Sequence, residues 1–140
     1  MDNLTKAKRS WAMSRVGARD TVPEIKVRRA AHSVGLRFRL HRKDLPGKPD
    51  LVFPRLHAVV FVHGCFWHRH EGCPASKMPK SNTRYWKRKF LRNVTRDKEV
   101  EGALRSKGWR VVVIWECETR DEETLRKTLR GQLEESSQFA

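Results

Sequence analysis

Asp50-Leu51-Val52-Phe53-Pro54-Arg55-Leu56-His57-Ala58-Val59-Val60-Phe61-Val62 is the stretch that decides how this chain folds. Its two apolar runs, rich in residues that favour extended backbone, are separated by a short proline-led interruption. Two short strands joined by a turn are therefore expected. Upstream, Asp44-Leu45-Pro46-Gly47-Lys48-Pro49 breaks regular structure and starts the first strand cleanly.

Working outward, Thr21 to Glu24 has capping-box spacing, with Pro23 tolerated in a first turn. Val27, Ala30, Ala31 and Val34 then recur at helical spacing until Gly35 supplies a stop. On the other side, Thr83 to Lys107 carries Trp86, Phe90, Val94, Val100 and Leu104 before Gly108, which predicts a long, basic, amphipathic helix. Arg110 to Trp115 reads as a buried strand. Leu125, Leu129 and Leu133 fall four apart on a final helix beginning between Thr119 and Glu122. The order helix, strand, strand, helix, strand, helix implies an α/β fold, a mixed sheet with helices on its faces.

The chain has 140 residues, enough for one domain with a real core. Residues 1–20 read as a basic arm with Lys6, Lys8, Arg9, Arg15 and Arg19, residues 21–135 as the single domain, and 136–140 as a frayed tail. Lysine and arginine total 31 against 16 acidic residues, a formal charge of +15, which points to a polyanionic partner. The excess recurs in Lys77 to Arg96, where Tyr85 and Trp86 are interleaved with Lys80, Arg84, Lys87, Arg88, Lys89 and Arg92. That mixture suits phosphate contact combined with base stacking. No stretch approaches the roughly 20 apolar residues of a membrane span, and the first residues lack the features of a secretory signal. A cytoplasmic, nucleoid-associated monomer is expected, and in a reducing compartment the 3 cysteines read as metal ligands or free thiols.

Those cysteines are Cys65, Cys73 and Cys117, and the first two bracket His68 and His70. Three thiolates and one imidazole make a closed tetrahedral zinc site, structural because no coordination position is left open. Spacing favours His70, with His63 and His68 as alternative donors. The competing reading makes Cys65 and Cys117 ordinary buried small residues.

A carboxylate in so basic a chain invites explanation. Asp50 is placed to hold Mg²⁺, with the backbone carbonyl of Val62 as a second oxygen ligand. His68 is the candidate general base and His63 its companion. Glu24 and Asp97 are the other acids expected nearby, although Glu24 can simply close a capping box and Asp97 can simply pair with Arg96 or Lys98. Phe66 and Trp67 are consecutive aromatics that cannot share one face of a strand, so at least one is expected to be exposed. Together with Trp86 they are candidates for insertion into a base stack, or for packing.

These motifs converge on a family. His63-Gly64-Cys65-Phe66-Trp67-His68-Arg69-His70, Pro46-Gly47-Lys48-Pro49-Asp50, Trp109-Arg110-Val111 and Val113-Ile114-Trp115-Glu116-Cys117 together resemble the very short patch repair (Vsr) endonucleases. Arg9-Ser10, Met13, Asp20-Thr21, Glu24, Trp86, Asn93-Val94 and Arg96-Asp97 extend the resemblance over most of residues 5–130. It implies a restriction-endonuclease-like fold of the PD-(D/E)xK type and Mg²⁺-dependent nicking of duplex DNA at T:G mismatches that arise from 5-methylcytosine deamination. It further implies Asp50 and the Val62 carbonyl as Mg²⁺ ligands, His68 activating water, and Glu24, His63 and Asp97 in support. Zinc falls to Cys65, His70, Cys73 and Cys117. Phe66, Trp67 and Trp86 become DNA-intercalating wedges, and the N-terminal arm a grip on the opposite groove. Mismatch-repair proteins and a cognate cytosine methyltransferase are the implied partners. Two departures stand out: Val62 replaces a frequent threonine, and the His70–Cys73 spacing is one residue longer than the pattern. The rival readings are a nicking enzyme of different or broader mismatch specificity tied to a restriction-modification system, and a zinc-stabilised DNA-binding module without catalysis.

Overall fold

The computed structural model describes residues 20–134. The basic arm up to Arg19 and the tail at 136–140 lie outside the described residues. The first helix among the described residues, α1 (Val22–Ser33), opens where the capping pattern places it, with the Thr21 side chain accepting from the Glu24 N–H. The reciprocal bond is displaced by one residue, because Glu24 Oε2 accepts from the Asp20 N–H at 2.7 Å rather than from Thr21.

Strands β1 (Leu51–Phe53) and β2 (Ala58–His63) pair antiparallel around a single 3₁₀ turn at Pro54–Leu56, closed by His57 at φ +51°. A long helix, α2 (Thr83–Ser106), then crosses to β3 (Arg110–Trp115), which pairs parallel to β2 from Ala58↔Arg110 to His63↔Trp115. The sheet order is β1-β2-β3, with β2 in the centre. An isolated bridge between Arg39 and Val52 adds a short extension, whose apolar neighbours Phe38 and Leu40 pack against the core.

Alternation along the strands divides the core into two layers. Leu51, Phe53, Ala58, Val60, Val112 and Ile114 pack against Val27, Ala30 and Ala31 of α1 and against Leu125 and Leu129 of the last helix, α3 (Glu122–Leu129). Val52, Val59 and Phe61 face the other way, onto Leu104 of α2 and Leu45. Helices thus cover both faces of a mixed sheet, as the element order implied. The expected single helix through Leu133 changes character at Arg130, where the backbone widens into a π-helical turn (Arg130–Glu134) containing Gly131. Leu133 is nevertheless completely buried. In α2 only Phe90 and Leu104 are fully buried; Val100 packs on the core from its edge and Trp86 joins an aromatic cluster with Phe66 and Phe90.

The loop before Asp50 is seated by its glycine. Gly47 has φ +73°, and a Cβ there would lie 2.3 Å from Val100 Cγ1 of α2. Gly47→Ala is therefore expected to destabilise the fold by about 2 kcal/mol, from left-handed strain plus overpacking. Val100→Ala in the same chain should recover part of that loss, measured by urea denaturation.

Candidate active site and metal centre

The central strand delivers the site. β1 runs antiparallel to β2 with Leu51 opposite Val60, so the residue before β1 arrives beside the end of β2. There Asp50 Oδ2 accepts the Val62 N–H at 2.6 Å. Among the described residues its other oxygen has no hydrogen-bond partner. Burial pushes the Asp50 carboxyl up to about 6; the Val62 N–H pulls against that shift and the Glu24 charge adds to it. A half-buried carboxylate in this state suits a hard, oxygen-preferring divalent cation, which would offset the desolvation. The residues present therefore fit a divalent cation such as Mg²⁺, which Asp50 and the Val62 carbonyl could hold.

Across the cleft, His68 Nδ1 lies 2.7 Å from Asp97 Oδ2 of α2. A carboxylate only accepts, so Nδ1 carries a proton, and in the neutral ring Nε2 is the nitrogen with the lone pair. Asp97 thus pairs with His68, and neither Arg96 nor Lys98 takes it. His63 is 7 % exposed and stacks on His68 with centroids 3.9 Å apart. Burial, followed by repulsion from His68, lowers the His63 pKa to about 4, which keeps the ring neutral at physiological pH. Glu24 also borders the cleft, but its carboxylate is engaged by the Asp20 N–H and by Arg28 at 3.5 Å. It serves both the helix start and the rim of the site.

These groups share one open cleft of about 720 Å³. Its wall on α2 is formed by Lys89, Asn93, Arg96, Asp97, Val100 and Glu101, residues three or four apart on one helical face. Lys48, Glu101 and Glu116 line it too and were not singled out from sequence. The helical spacing from Asp97 to Glu101 was a usable signal for the second of these. Nothing local distinguishes Glu116 from other acids.

Phe66 and Trp67 correct the strand-based expectation. They lie in a turn after β2, where facing does not alternate, and both are half-buried in one cluster with Trp86 and Phe90. Neither is fully exposed. The Asn93 side chain donates to the Trp67 carbonyl at 3.1 Å and ties this turn to α2. Lys89 lies 5.6 Å from the Trp67 ring and Arg69 4.2 Å from that of Phe90, so the cluster meets the cleft through a basic rim.

Cys65, His70, Cys73 and Cys117 offer ligand atoms that all lie within 4.8 Å of one another. Parallel pairing makes this possible, because Cys65 and Cys117 each follow the paired ends of β2 and β3 by two residues. Trp115 stacks on the His70 ring at 4.2 Å, and Ser76 Oγ donates to the His70 and Cys73 carbonyls. Burial pushes the Cys65 thiol up to about 12. Three sulfurs and a nitrogen at such separations match the donor set and size of a tetrahedral zinc site, in which the thiols would bind as thiolates. The alternative donors His63 and His68 belong instead to the cleft.

Cys117→Ser is expected to lower bound zinc and melting temperature together, measured by elemental analysis and calorimetry; full zinc occupancy would remove Cys117 from the ligand set. Asp50 supplies a pH test. Its raised pKa means that stability from this group is fully present below about 4 and lost as pH rises through about 6, a difference of about 3 kcal/mol in the metal-free protein. Asp50→Asn, which still accepts from Val62, should melt higher than the parent protein at neutral pH, the difference closing near pH 4. Equal melting temperatures across that range would contradict the burial argument.

Comparison with known proteins agrees with the geometry. The family model described as DNA mismatch endonuclease Vsr matches residues 1–74. The chain is 50% identical over 135 residues to Type II nicking enzyme V.XorIIP of Xanthomonas oryzae pv. oryzae, covering 96% of this chain and 98% of that one. It is 40% identical over 128 residues to Type II nicking enzyme V.NmeAIP of Neisseria meningitidis, 91% of each chain. With DNA mismatch endonuclease Vsr of Escherichia coli K12 it shares 40% identity over 131 residues, 93% of this chain and 83% of that one. The match to more than half of the chain, with relatives aligned almost end to end, carries the conclusion: this chain belongs to the Vsr family of DNA mismatch endonucleases.

Proposed function

We propose that this protein nicks one strand of duplex DNA at T:G mismatches by Mg²⁺-dependent phosphodiester hydrolysis, initiating very short patch repair. The observation that carries the reading is the cleft itself, in which the partly buried Asp50 faces a His68–Asp97 pair next to an aromatic cluster with a basic rim. A DNA-binding module without catalysis gains nothing from a carboxylate kept in that state. Family membership and the charge of +15 support DNA as the partner.

When bound at Asp50 and the Val62 carbonyl, Mg²⁺ supplies a Lewis acid for the phosphoryl group and lowers the pKa of an attacking water. His68 Nε2 accepts the proton that the water loses, and Asp97 stabilises the imidazolium that results. His63, neutral and stacked on His68, restricts the orientation of that ring. Phe66, Trp67 and Trp86 supply a π surface for bases opened at a mismatch, where unstacking costs less than in paired duplex. Cys65, His70, Cys73 and Cys117 would hold zinc, which would fix the two ends of the 65–73 segment and thereby the position of His68 within it.

A second reading has specific support: two of the relatives aligned above are named Type II nicking enzymes. On that reading the same chemistry serves a restriction-modification system with a different or broader mismatch specificity. Cleavage of end-labelled duplexes carrying each mismatch in varied contexts separates the two. The first predicts nicking confined to T:G, dependent on Mg²⁺, abolished by EDTA and by Asp50→Asn. The second predicts nicking at other mismatches. In either case Trp67→Ala should reduce discrimination between mismatched and paired duplex, and unchanged discrimination would assign Trp67 to packing alone.

A further inference from the structure

We infer that Lys48 is a catalytic residue, the cation that contacts a non-bridging oxygen of the phosphate being hydrolysed. This rests on the nuclease reading above and assigns a further group to that chemistry.

Placement is the first ground. Lys48 borders the cleft and stands two residues before Asp50. Consecutive Cα atoms are about 3.8 Å apart, so the two backbones can be separated by no more than about 7.6 Å. The loop between them is firmly seated. Gly47 lies against Val100, Leu45 and Pro49 are buried, and the Lys48 N–H donates to the Leu45 carbonyl at 3.3 Å.

Backbone conformation is the second. Lys48 adopts φ +50°, in the left-handed region where glycine or asparagine is the inexpensive choice. A lysine there is unfavourable for the loop, so its reason is to be sought in the side chain.

Charge is the third. Glu24, Asp50, Asp97, Glu101 and Glu116 all line the same cleft, yet Lys48 has no carboxylate within 4.0 Å among the described residues. Lys89 lies over the Trp67 ring, and Arg96, likewise without a carboxylate within 4.0 Å among the described residues, stands on α2 rather than in the Asp50 loop. Lys48 is exposed, on a long stem two residues from a carboxylate that would repel a phosphate, and an ammonium so tethered can reach an anion entering the cleft.

The chemistry gives that contact a use. The water oxygen bonds to phosphorus as the bond to the departing sugar oxygen breaks, the water proton passes to His68, and the leaving oxygen takes a proton from solvent. Nothing is oxidised or reduced, and Lys48 keeps its proton throughout. Negative charge on the equatorial oxygens is stabilised where the ammonium sits.

The test compares the parent protein with Lys48→Met, Lys48→Gly, Lys48→Arg and Asp50→Asn in single-turnover nicking of a T:G duplex at saturating protein and Mg²⁺. Duplex affinity is measured separately in EDTA. Lys48→Met should lower the rate by about 100-fold, the size of effect seen when one transition-state donor is removed, with affinity nearly unchanged. Lys48→Gly suits the backbone, so it should melt no lower than the parent protein and be equally slow. Lys48→Arg should recover much of the rate. Parent-like nicking by Lys48→Met or Lys48→Gly, or a loss confined to affinity, overturns the assignment. A parent protein that nicks while Asp50→Asn does not upholds the nuclease reading whatever Lys48 does; a parent protein inert on every duplex removes that reading and the role of Lys48 with it.

Discussion

Parallel pairing of β2 with β3 is the constraint on which the rest of the molecule depends. It aligns His63 with Trp115, so the chain leaves both strands at the same edge and brings Cys65 and Cys117 together across a large separation in sequence. Parallel neighbours require a crossover, which α2 supplies. That crossover carries Asp97 to His68 and Asn93 to the Trp67 carbonyl. The antiparallel pairing of β1 on the other edge of β2 adds Asp50. One central strand therefore positions the metal centre, the carboxylate and the imidazole, and a fault in its register would move all three at once.

Two kinds of polar group meet at this edge, and they stand in opposite electrostatic situations. The cysteine–histidine cluster is self-contained, with four ligand atoms, three sulfurs and one nitrogen, enough to saturate a tetrahedral ion. Asp50 is incomplete: it has the Val62 N–H, but burial and the Glu24 charge both disfavour its ionised form. A site that is unfavourable without a cation gains most when one arrives, which links its electrostatics to hydrolysis rather than to stability.

Much of this was legible in the sequence because strong local signals coincide with tertiary roles. The proline-led break between Phe53 and Ala58 fixed a strand pair, Gly35 and Gly108 ended helices, and the run from Arg110 to Trp115 matched β3 end to end. The cysteine spacing identified the four atoms that now lie together. What was less legible depends on contacts made across space. Asp97 had several charged neighbours in sequence, and only the packing of α2 against the 65–69 turn selects His68 for it. Phe66 and Trp67 were read by strand alternation, which does not hold in a turn. Lys48 was legible only as part of the Pro46–Asp50 motif, because its left-handed backbone and its place on the cleft rim are features of the folded loop.

The central claim is that Asp50 is a carboxylate held ready for a divalent cation. Calorimetric titration with Mg²⁺ in buffers of different ionisation enthalpy tests it most directly, because a ligand with a pKa of about 6 must lose its proton on binding. The account predicts release of about half a proton per Mg²⁺ at pH 6, almost none at pH 8, and loss of this binding in Asp50→Asn. Mg²⁺ binding that releases no proton at pH 6, or that survives in Asp50→Asn, would contradict it.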